Sequence, residues 1–393
     1  MYPFSQAIRS ADGTTIITSS SCNTIRSFVL PEDLLESRSD PLPLQEQGRL
    51  VLSEPSHAIA SAPYFALSTP YTQTLLTACR DHPIQLHYAL PADPSHPPDP
   101  PARPLPVASY PLIKPETEAY LTPTALLWSA PGTHFLAGTT NLLAHFDISR
   151  PGAAGPVARL ATIPSARHLA KGGGVGMRGT VAALAQQPPA ADGAGLVAAG
   201  TWTRWVGLYD VARAGACVAT WGIAGAAPAL GGQGVLQAVW SPCGRYLVLN
   251  ERKARGLLVY DVRVAGRLLG WLAGRPAATN QRLSCDVFPG AEDGGGGGFE
   301  VWAGTDDGTV VVWEGVGGRE EEIMPSWDWR AHDSAIGSAA MHSSGSVVAT
   351  CSGAWTLSDR DGGGPTTTTS EDADLSVWSI RSSDQSDLPN TEG

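Results

Sequence analysis

The stretch Val235–Val262 reads VLQAVWSPCGRYLVLNERKARGLLVYDV and contains three short apolar segments separated by turns. The first segment, Leu236–Trp240, ends at Ser241–Gly244 (SPCG), where proline presets φ and glycine accepts a positive φ. The second segment is Tyr246–Leu249, and the third, Leu257–Asp261, closes on an aromatic residue followed by an acid. This pattern predicts a unit of three short strands joined by two turns.

Six further segments repeat this order of strands and turns. With the first, the repeats cover residues 4–30, 59–90, 124–148, 180–211, 235–262, 283–314 and 336–380. Aromatic residues close the third strand of each repeat: Phe28, Tyr88, Phe146, Tyr209, Tyr260, Trp313 and Trp378. Seven copies predict an all-β fold, a seven-bladed WD40-type β-propeller.

The repeats are further apart than the roughly 40 to 45 residues of a compact WD repeat, which predicts long insertions between strands. Low-complexity segments fall where those insertions are needed: residues 91–106 are rich in proline, and residues 294–298 and 362–370 are rich in glycine or threonine. We therefore expect one propeller domain over residues 1–381, followed by a polar disordered tail at residues 382–393.

Composition and motifs argue against an enzyme or a membrane protein. The six cysteines form no CxxC pair, and no signal peptide or apolar run of about 18 residues occurs. Residues 174–179 (GVGMRG) match a dinucleotide-binding spacing, but a strand follows and no acid lies about 20 residues further on. We expect an intracellular, non-catalytic monomer with no cofactor and no metal.

Charge is distributed unevenly along the chain. The net charge is −11, but residues 151–282 contain 14 Lys and Arg against four acids, so this segment carries +10 and the remainder −21. Eight basic residues fall in fewer than forty positions: Arg245, Arg252, Lys253, Arg255, Arg263, Arg267, Arg275 and Arg282. One interpretation is a solvated surface in a chain that uses arginine heavily. The other is phosphate contact, since a guanidinium group binds phosphate through two parallel hydrogen bonds.

Two runs resemble the telomerase Cajal body protein family, which includes fungal WD-repeat relatives linked to splicing. They are Thr201–Asp210 (TWTRWVGLYD) and Ala278–Arg282 (ATNQR), the latter followed by Asp286. The opening block from Ser10 to Pro31 is similar to the first repeat of that family. The resemblance implies a non-catalytic nuclear propeller that binds small nuclear RNA of the Cajal-body class or telomerase-type RNA, and supports assembly or localisation of ribonucleoprotein particles.

The matching motifs suggest individual roles. Trp202 and Arg204 are expected in a turn on a propeller face, as a platform on which an unpaired base stacks, although Trp202 could equally pack within a blade. Asn280 and Gln281 could contact base edges while Arg282 holds a phosphate, or they could satisfy backbone groups between blades. The predicted RNA-binding set also includes Arg245, Arg252, Lys253 and Arg255, and we expect Arg204→Glu with Arg282→Glu to weaken RNA binding without unfolding the protein.

A second function remains open from the sequence. The acidic remainder and a propeller face could serve a scaffold that binds only proteins, in pre-mRNA splicing or another nuclear complex. RNA recovered with such a scaffold would disappear once its protein partners were removed.

Two further features concern how the propeller is held together. His332 lies where a Gly-His pair often braces a WD blade, so its predicted role is structural. The N-terminus of such propellers usually supplies the outer strand of the last blade, but only Met1–Pro3 precede the first repeat. We therefore expect a ring that closes without a shared strand, or a start site assigned too late.

Overall fold

The structure is a computed structural model of the 393-residue chain. It describes residues 4–36, 41–91, 105–152, 155–171, 175–189, 195–213, 215–290, 298–358, 366–369 and 373–380. The predicted tail and most of the predicted low-complexity insertions lie outside these residues.

Blades 1 to 4 are four-stranded antiparallel sheets whose strands pair in chain order. Blade 1 contains β1 (Phe4–Arg9), β2 (Thr15–Ser20), β3 (Thr24–Val29) and β4 (Gly48–Val51). Blade 2 contains β5 (Ser56–Ser61), β6 (Thr74–Cys79), β7 (Ile84–Tyr88) and β8 (Ala108–Tyr110). Blade 3 contains β9 (Ala125–Trp128), β10 (His134–Thr139), β11 (Leu142–Asp147) and β12 (Ala158–Ala161). Blade 4 contains β13 (Val181–Gln186), β14 (Val197–Thr201), β15 (Trp205–Asp210) and β16 (Ala216–Gly222).

Blades 5 to 7 keep this plan with additions. Blade 5 contains β17 (Val235–Trp240), β18 (Tyr246–Glu251), β19 (Leu257–Asp261) and β20 (Arg267–Leu272). Blade 6 contains β21 (Cys285–Pro289), β22 (Phe299–Gly304), β23 (Thr309–Val316) and β25 (Trp327–Arg330), while β24 (Glu321–Ile323) leaves it to pair in parallel with β20. Blade 7 contains β26 (Ile336–Met341), β27 (Val347–Ser352) and β30 (Leu375–Ser379), with the hairpin of β28 (Trp355–Ser358) and β29 (Thr366–Thr369) inserted before β30.

The only regular helix in the described part of the chain is α1 (Ala166–Lys171), in the connection between blades 3 and 4. Two short 3₁₀ turns occur elsewhere, at Pro70–Thr72 and Pro228–Leu230. None of the described helices is long and apolar enough to cross a membrane.

The first strand of every blade faces the centre of the ring, because neighbouring blades contact one another through these strands. Blade 7 meets blade 1 in the same way, where the Ser338 hydroxyl donates to the Ala7 carbonyl oxygen at 2.8 Å. The seven-bladed propeller is therefore confirmed. The sequence repeats contained the first three strands of each blade but not the outer strands, some of which, such as β8 (ASY) and β12 (ARLA), are too short to carry much apolar signal.

The third-strand aromatic residues were correctly placed in every blade except the second. By strand register, Phe146 pairs with Phe135 and Tyr260 with Leu247, each opposite the second residue of the middle strand. In blade 2 the equivalent residue is His87, which pairs with Leu75, whereas Tyr88 lies one residue later and is 48% exposed. Side chains alternate between sheet faces, so a shift of one residue moves Tyr88 out of the core.

His87 occupies this core position at 4% exposure, and its Nδ1 has no hydrogen-bond partner among the residues that the structure describes. Burial lowers the pKa of His87 to about 4. The imidazole is therefore neutral in the folded protein at neutral pH.

His332 braces blade 7, as predicted. Its Nε2 lies 2.7 Å from the Thr350 hydroxyl, which also accepts a hydrogen bond from the Trp378 indole at 2.7 Å. The imidazole ring packs edge-on against that indole. The three side chains link the start of blade 7 to its second and third strands.

A buried arginine joins blades 5 and 6. Arg275 is 1% exposed, and its guanidinium bonds no carboxylate among the described residues. Its Nε donates to the Gly304 carbonyl oxygen in β22 (2.8 Å), and its two terminal nitrogens donate to the Asn250 side-chain oxygen in β18 (2.9 Å) and the Leu283 carbonyl oxygen (3.0 Å). Burial lowers the pKa of Arg275 to about 10, so it stays cationic at neutral pH.

The same network fixes the segment between the two blades. The Asn250 amide donates to the Leu283 carbonyl oxygen (2.6 Å) and to the Gln237 side-chain oxygen (3.2 Å), and Gln237 in turn bonds the Cys285 main chain. Polar side chains of blade 5 therefore hold the residues just before β21 in place.

We expect Arg275→Met to lower the free energy of unfolding by about 3 kcal/mol, because it removes the donor from buried acceptors that retain too few partners. Urea denaturation followed by tryptophan fluorescence measures the change. Arg255→Met is the matched control: Arg255 is exposed, so its effect should stay within about 0.5 kcal/mol. Equal effects of the two substitutions would contradict a bracing role for Arg275.

We expect the free energy of unfolding to decrease as the pH is lowered, because of His87. Between pH 6.5 and 4 the unfolded chain binds a proton at this histidine and the folded protein does not, so acidification favours unfolding. In His87→Phe this contribution is lost, and the variant should gain about 3 kcal/mol relative to the wild type between these two pH values. Urea titrations at several pH values measure the difference. His57→Phe, at an exposed histidine, should retain the wild-type pH dependence.

Candidate nucleic-acid interface

One end of the propeller carries the turns between the second and third strands and the links from one blade to the next. We call the part of this end from the second turn of blade 4 to the link between blades 5 and 6 the link face; it consists of residues 201–204, 223–234, 252–256 and 273–284. The turns between first and second strands, and between third and fourth strands, lie at the opposite end. Strand direction alone decides which end a turn occupies, because successive strands are antiparallel.

The link face contains every predicted RNA-binding residue except Arg245. Arg245 precedes β18 and Arg252 follows it, so the two lie at opposite ends of one strand, about 20 Å apart. Arg213, Arg263 and Arg267 share the end of Arg245. The basic residues that the sequence concentrates between Arg245 and Arg282 are therefore divided between two faces, and Arg245 does not join the other predicted RNA-binding residues.

Arg204 has an extensive set of partners on the link face. Its Nε and one terminal nitrogen donate to the two carboxylate oxygens of Glu251, at 2.7 and 2.8 Å, and its other bonds go to the carbonyl oxygens of Ala224 and Gly231. Glu251 is buried and also accepts a hydrogen bond from the Gly234 amide. This guanidinium joins blade 4, the link and blade 5, and a phosphate would have to displace a buried carboxylate to reach it.

Glu251 was not predicted as a partner of this arginine. The sequence did contain a signal for this ion pair, because Glu251 is an acid at the end of an apolar strand in a segment with many arginines. The expectation that Arg204→Glu leaves the fold intact is not supported by this geometry, because that substitution places two carboxylates together at a buried position. A test of RNA binding needs other residues.

Trp202 lies in the turn that follows β14 on the link face. Its side chain is 42% exposed, while its main-chain amide donates to the Thr180 carbonyl oxygen. Gly234 lies so close that a β-carbon there would clash with the Trp202 main chain. The Trp202 backbone is thus held against the next link, and the indole remains partly open to solvent.

The turn after β18 supplies three basic side chains. Arg252 is half-buried and donates to the Gln233 carbonyl oxygen at 3.0 Å, whereas its Nε bonds none of the described residues. Lys253 and Arg255 form no side-chain hydrogen bond or ion pair with the described part of the chain. The Lys253 backbone has a φ of 55° and bonds the Thr279 carbonyl oxygen, which orders the turn.

The last three residues of the Thr279–Arg282 run lie in three different environments. Asn280 is exposed. The Gln281 amide donates to the Gly353 carbonyl oxygen of blade 7 at 2.5 Å, which is the structural role that the sequence left open. Arg282 does not lie on the surface with Asn280; it lines a cavity between the first strands of the blades.

No group of three or more His, Cys, Asp or Glu side chains able to hold a metal ion occurs among the residues that the structure describes.

Telomerase Cajal body protein 1 from Mesocricetus auratus aligns with the chain over 349 residues at 26% identity, which covers 87% of this chain and 56% of that protein. The resemblance to telomerase Cajal body proteins is confirmed. The human protein of the same name is 24% identical over 348 residues, covering 87% of this chain and 55% of its own length. The chain thus spans little more than half the length of these relatives.

Two other proteins are similar over most of the chain. The guanine nucleotide-binding protein negative regulator 1 of Schizosaccharomyces pombe is 24% identical over 307 residues, covering 77% of this chain and 68% of that protein. The crystal structure of Chaetomium thermophilum Sqt1 bound to the N-terminus of ribosomal protein L10 superposes with a TM-score of 0.57 at 16% identity, covering 86% of this chain and 78% of that one. This second likeness supports the propeller fold. No family model matches the chain.

We expect Arg204→Met to lower the free energy of unfolding by about 3 kcal/mol, because it leaves the buried Glu251 carboxylate without its cation. Adding Glu251→Gln should recover most of that loss, since the double variant buries no unpaired charge. Urea denaturation of both variants measures the recovery. Arg213→Met is the control, because Arg213 is exposed and its ion pair with Asp210 is 3.5 Å long. A double variant less stable than Arg204→Met would exclude charge compensation as the cause.

Proposed function

We propose that the link face binds single-stranded regions of a small nuclear or telomerase-type RNA, and that the protein is a non-catalytic nuclear scaffold for assembly or localisation of a ribonucleoprotein particle. The single observation that carries the proposal is the adjacency of an exposed tryptophan and three basic side chains in two ordered turns. RNA-binding proteins recognise unpaired RNA through this combination of aromatic stacking and backbone neutralisation.

The adjacency follows from main-chain contacts. Gly234 packs on the Trp202 backbone, and its carbonyl oxygen accepts the Arg252 amide. One residue further, the Lys253 amide bonds the Thr279 carbonyl oxygen beside Asn280. The stacking side chain, the cations and an exposed amide therefore lie on consecutive segments of one surface, in an order that a single RNA strand can follow.

The electrostatics of this surface favour a polyanion. Arg252, Lys253 and Arg255 extend from one turn, and the acid next to them, Glu251, is buried and neutralised by Arg204. Asp306 and Asp307 follow β22 on the neighbouring blade and end the basic region on that side. Localised positive charge of this kind binds phosphates even though the whole chain is acidic.

Two roles follow for the predicted residues. Trp202, Arg252, Lys253, Arg255 and Asn280 form the proposed contact surface. Arg204 and Gln281 hold the segments that present it, and Arg245 lies at the other end of the blade.

The names of the telomerase Cajal body relatives support an RNA partner and a nuclear location. Sqt1, a similar propeller solved with the N-terminus of a ribosomal protein bound to it, favours the alternative of a scaffold that binds only proteins. Binding measured with purified protein separates the two functions.

We expect Lys253→Glu with Arg255→Glu to weaken binding to single-stranded RNA. The negative slope of log affinity against log salt should become shallower by about 1.4, because two phosphate contacts are lost. Fluorescence anisotropy with a labelled small nuclear RNA fragment, measured at low and at raised NaCl concentration, gives both quantities. Arg213→Glu with Arg245→Glu is the matched control, since it changes the net charge equally at the opposite end of the blades.

Trp202→Ala should weaken RNA binding by about tenfold or more while leaving the salt slope unchanged, because stacking releases no counterions.

Equal losses in the two charge-reversal variants would show that binding depends on net charge and not on the link face. Absence of RNA binding by the purified wild-type protein would contradict the RNA function and favour the protein scaffold.

A further inference from the structure

A cavity of about 180 Å³ lies on the propeller axis, at the end where the link face is found. It is lined by the first strands of five blades, through residues such as Gln6, Ala58, Ala183 and Ala238, and by Arg282. Most of the strand residues belong to the N-terminal halves of β1, β5, β9, β13 and β17, which begin at the link end. The cavity is therefore the mouth of the central channel.

Irregular strand pairing recurs around this mouth. The pairing of first and second strands shifts by one residue in five blades, between Phe4/Gln6, Ser56/Ala58, Val181/Ala183, Val235/Gln237 and Ile336/Ser338. Such bulges are typical of places where a strand turns a side chain towards a site. Gln6, Ala58, Ala183 and Gln237 follow these shifts and line the cavity.

Arg282 brings a positive charge into this space. Its Nε is buried and has no hydrogen-bond partner, and the side chain makes no ion pair with any residue that the structure describes. Asp286, four residues later, is directed elsewhere: its carboxylate accepts the amides of Met341 and Val287. Arg282 as a whole is half-buried, but its Nε–H is buried and an arginine keeps its proton, so this donor is costly to leave without an acceptor, which an anion can supply.

The other polar side chains that line the mouth differ in whether their hydrogen-bonding groups are already used within the protein. Gln237 uses its amide and its oxygen on Cys285 and Asn250, and the Thr124 hydroxyl donates to the Val181 carbonyl oxygen. The Gln6 carboxamide has no such bond to the described residues. Arg282 and Gln6 thus supply free N–H donors to one small cavity, which suits a compact oxyanion.

We propose that the channel mouth is a binding site for one phosphate group, held by the Arg282 guanidinium with the Gln6 carboxamide as a second donor. The site is distinct from the RNA surface of the link face and does not require it. Its volume suits a phosphate-sized anion, supplied either as free phosphate or as the terminal phosphate of a chain that enters the channel.

The experiment uses the full-length protein and inorganic phosphate. Thermal unfolding and isothermal titration calorimetry are measured in phosphate and in NaCl at equal ionic strength. We expect saturable phosphate binding and a rise in Tm for the wild type and for Arg245→Met, at an exposed arginine on the opposite end of the blade, and loss of both in Arg282→Met. Arg282→Lys should bind at least about tenfold more weakly, because it cannot form two parallel hydrogen bonds.

A second readout separates binding from a packing role of Arg282. In phosphate-free buffer, Arg282→Met should unfold at the same temperature as the wild type or above it, because it removes a charge without a partner. A lower Tm for this variant, with phosphate binding unchanged, would overturn the proposal. So would a wild type that responds identically to phosphate and to NaCl.

Competition identifies the source of the phosphate. An RNA oligonucleotide with a 5′-phosphate is compared with the same oligonucleotide ending in a hydroxyl group, in the Lys253→Glu, Arg255→Glu background that weakens the link face. Displacement of inorganic phosphate by the phosphorylated oligonucleotide alone supports a chain terminus as ligand, and displacement by neither supports the free anion. Failure of RNA binding at the link face would leave the phosphate measurements unaffected.

Discussion

The hydrogen bonds of the buried Arg275 guanidinium determine where the segment between blades 5 and 6 lies. A buried cation without a carboxylate needs other hydrogen-bond acceptors, and here Asn250, Leu283 and Gly304, from three places in the chain, accept one hydrogen bond from each guanidinium nitrogen. Asn250 and Gln237 extend these bonds to the start of β21. The positions of Asn280, Gln281 and Arg282 all depend on this anchor, because they occupy the short link that it holds.

Arginines of similar sequence context have three different roles in this region. Arg275 and Arg204 are structural, one bonded to main-chain oxygens and a side-chain amide, the other to a buried carboxylate. Arg255 extends from a turn towards solvent, and Arg252 in the same turn is half-buried and bonds the Gln233 carbonyl oxygen. Arg282 lies in the channel mouth without a partner among the described residues. Burial and the nearest acceptor, and not the local density of basic residues, distinguish these roles.

The two proposed binding surfaces follow from one property of the propeller, since all blade-to-blade links lie at the same end. The turns and links present Trp202 and the basic turn to solvent, and the same links direct Arg282 inwards over the first strands. The parallel pairing of β24 with β20 adds a second connection between blades 5 and 6 at their outer edge. A rigid joint between these blades is therefore expected to keep both surfaces in a constant arrangement.

The sequence by itself determined the seven three-stranded repeats and the bracing role of His332, because alternation of apolar residues and turn composition are local signals. It also indicated the resemblance to telomerase Cajal body proteins and a basic region. Only the tertiary structure decided that His87, not Tyr88, fills the core of blade 2, that β24 joins blade 5, and that Arg245 lies away from the link face. It alone paired Arg204 with Glu251 and directed Arg282 into the channel. These features depend on register and on contacts between residues distant in the chain, which a local pattern does not encode.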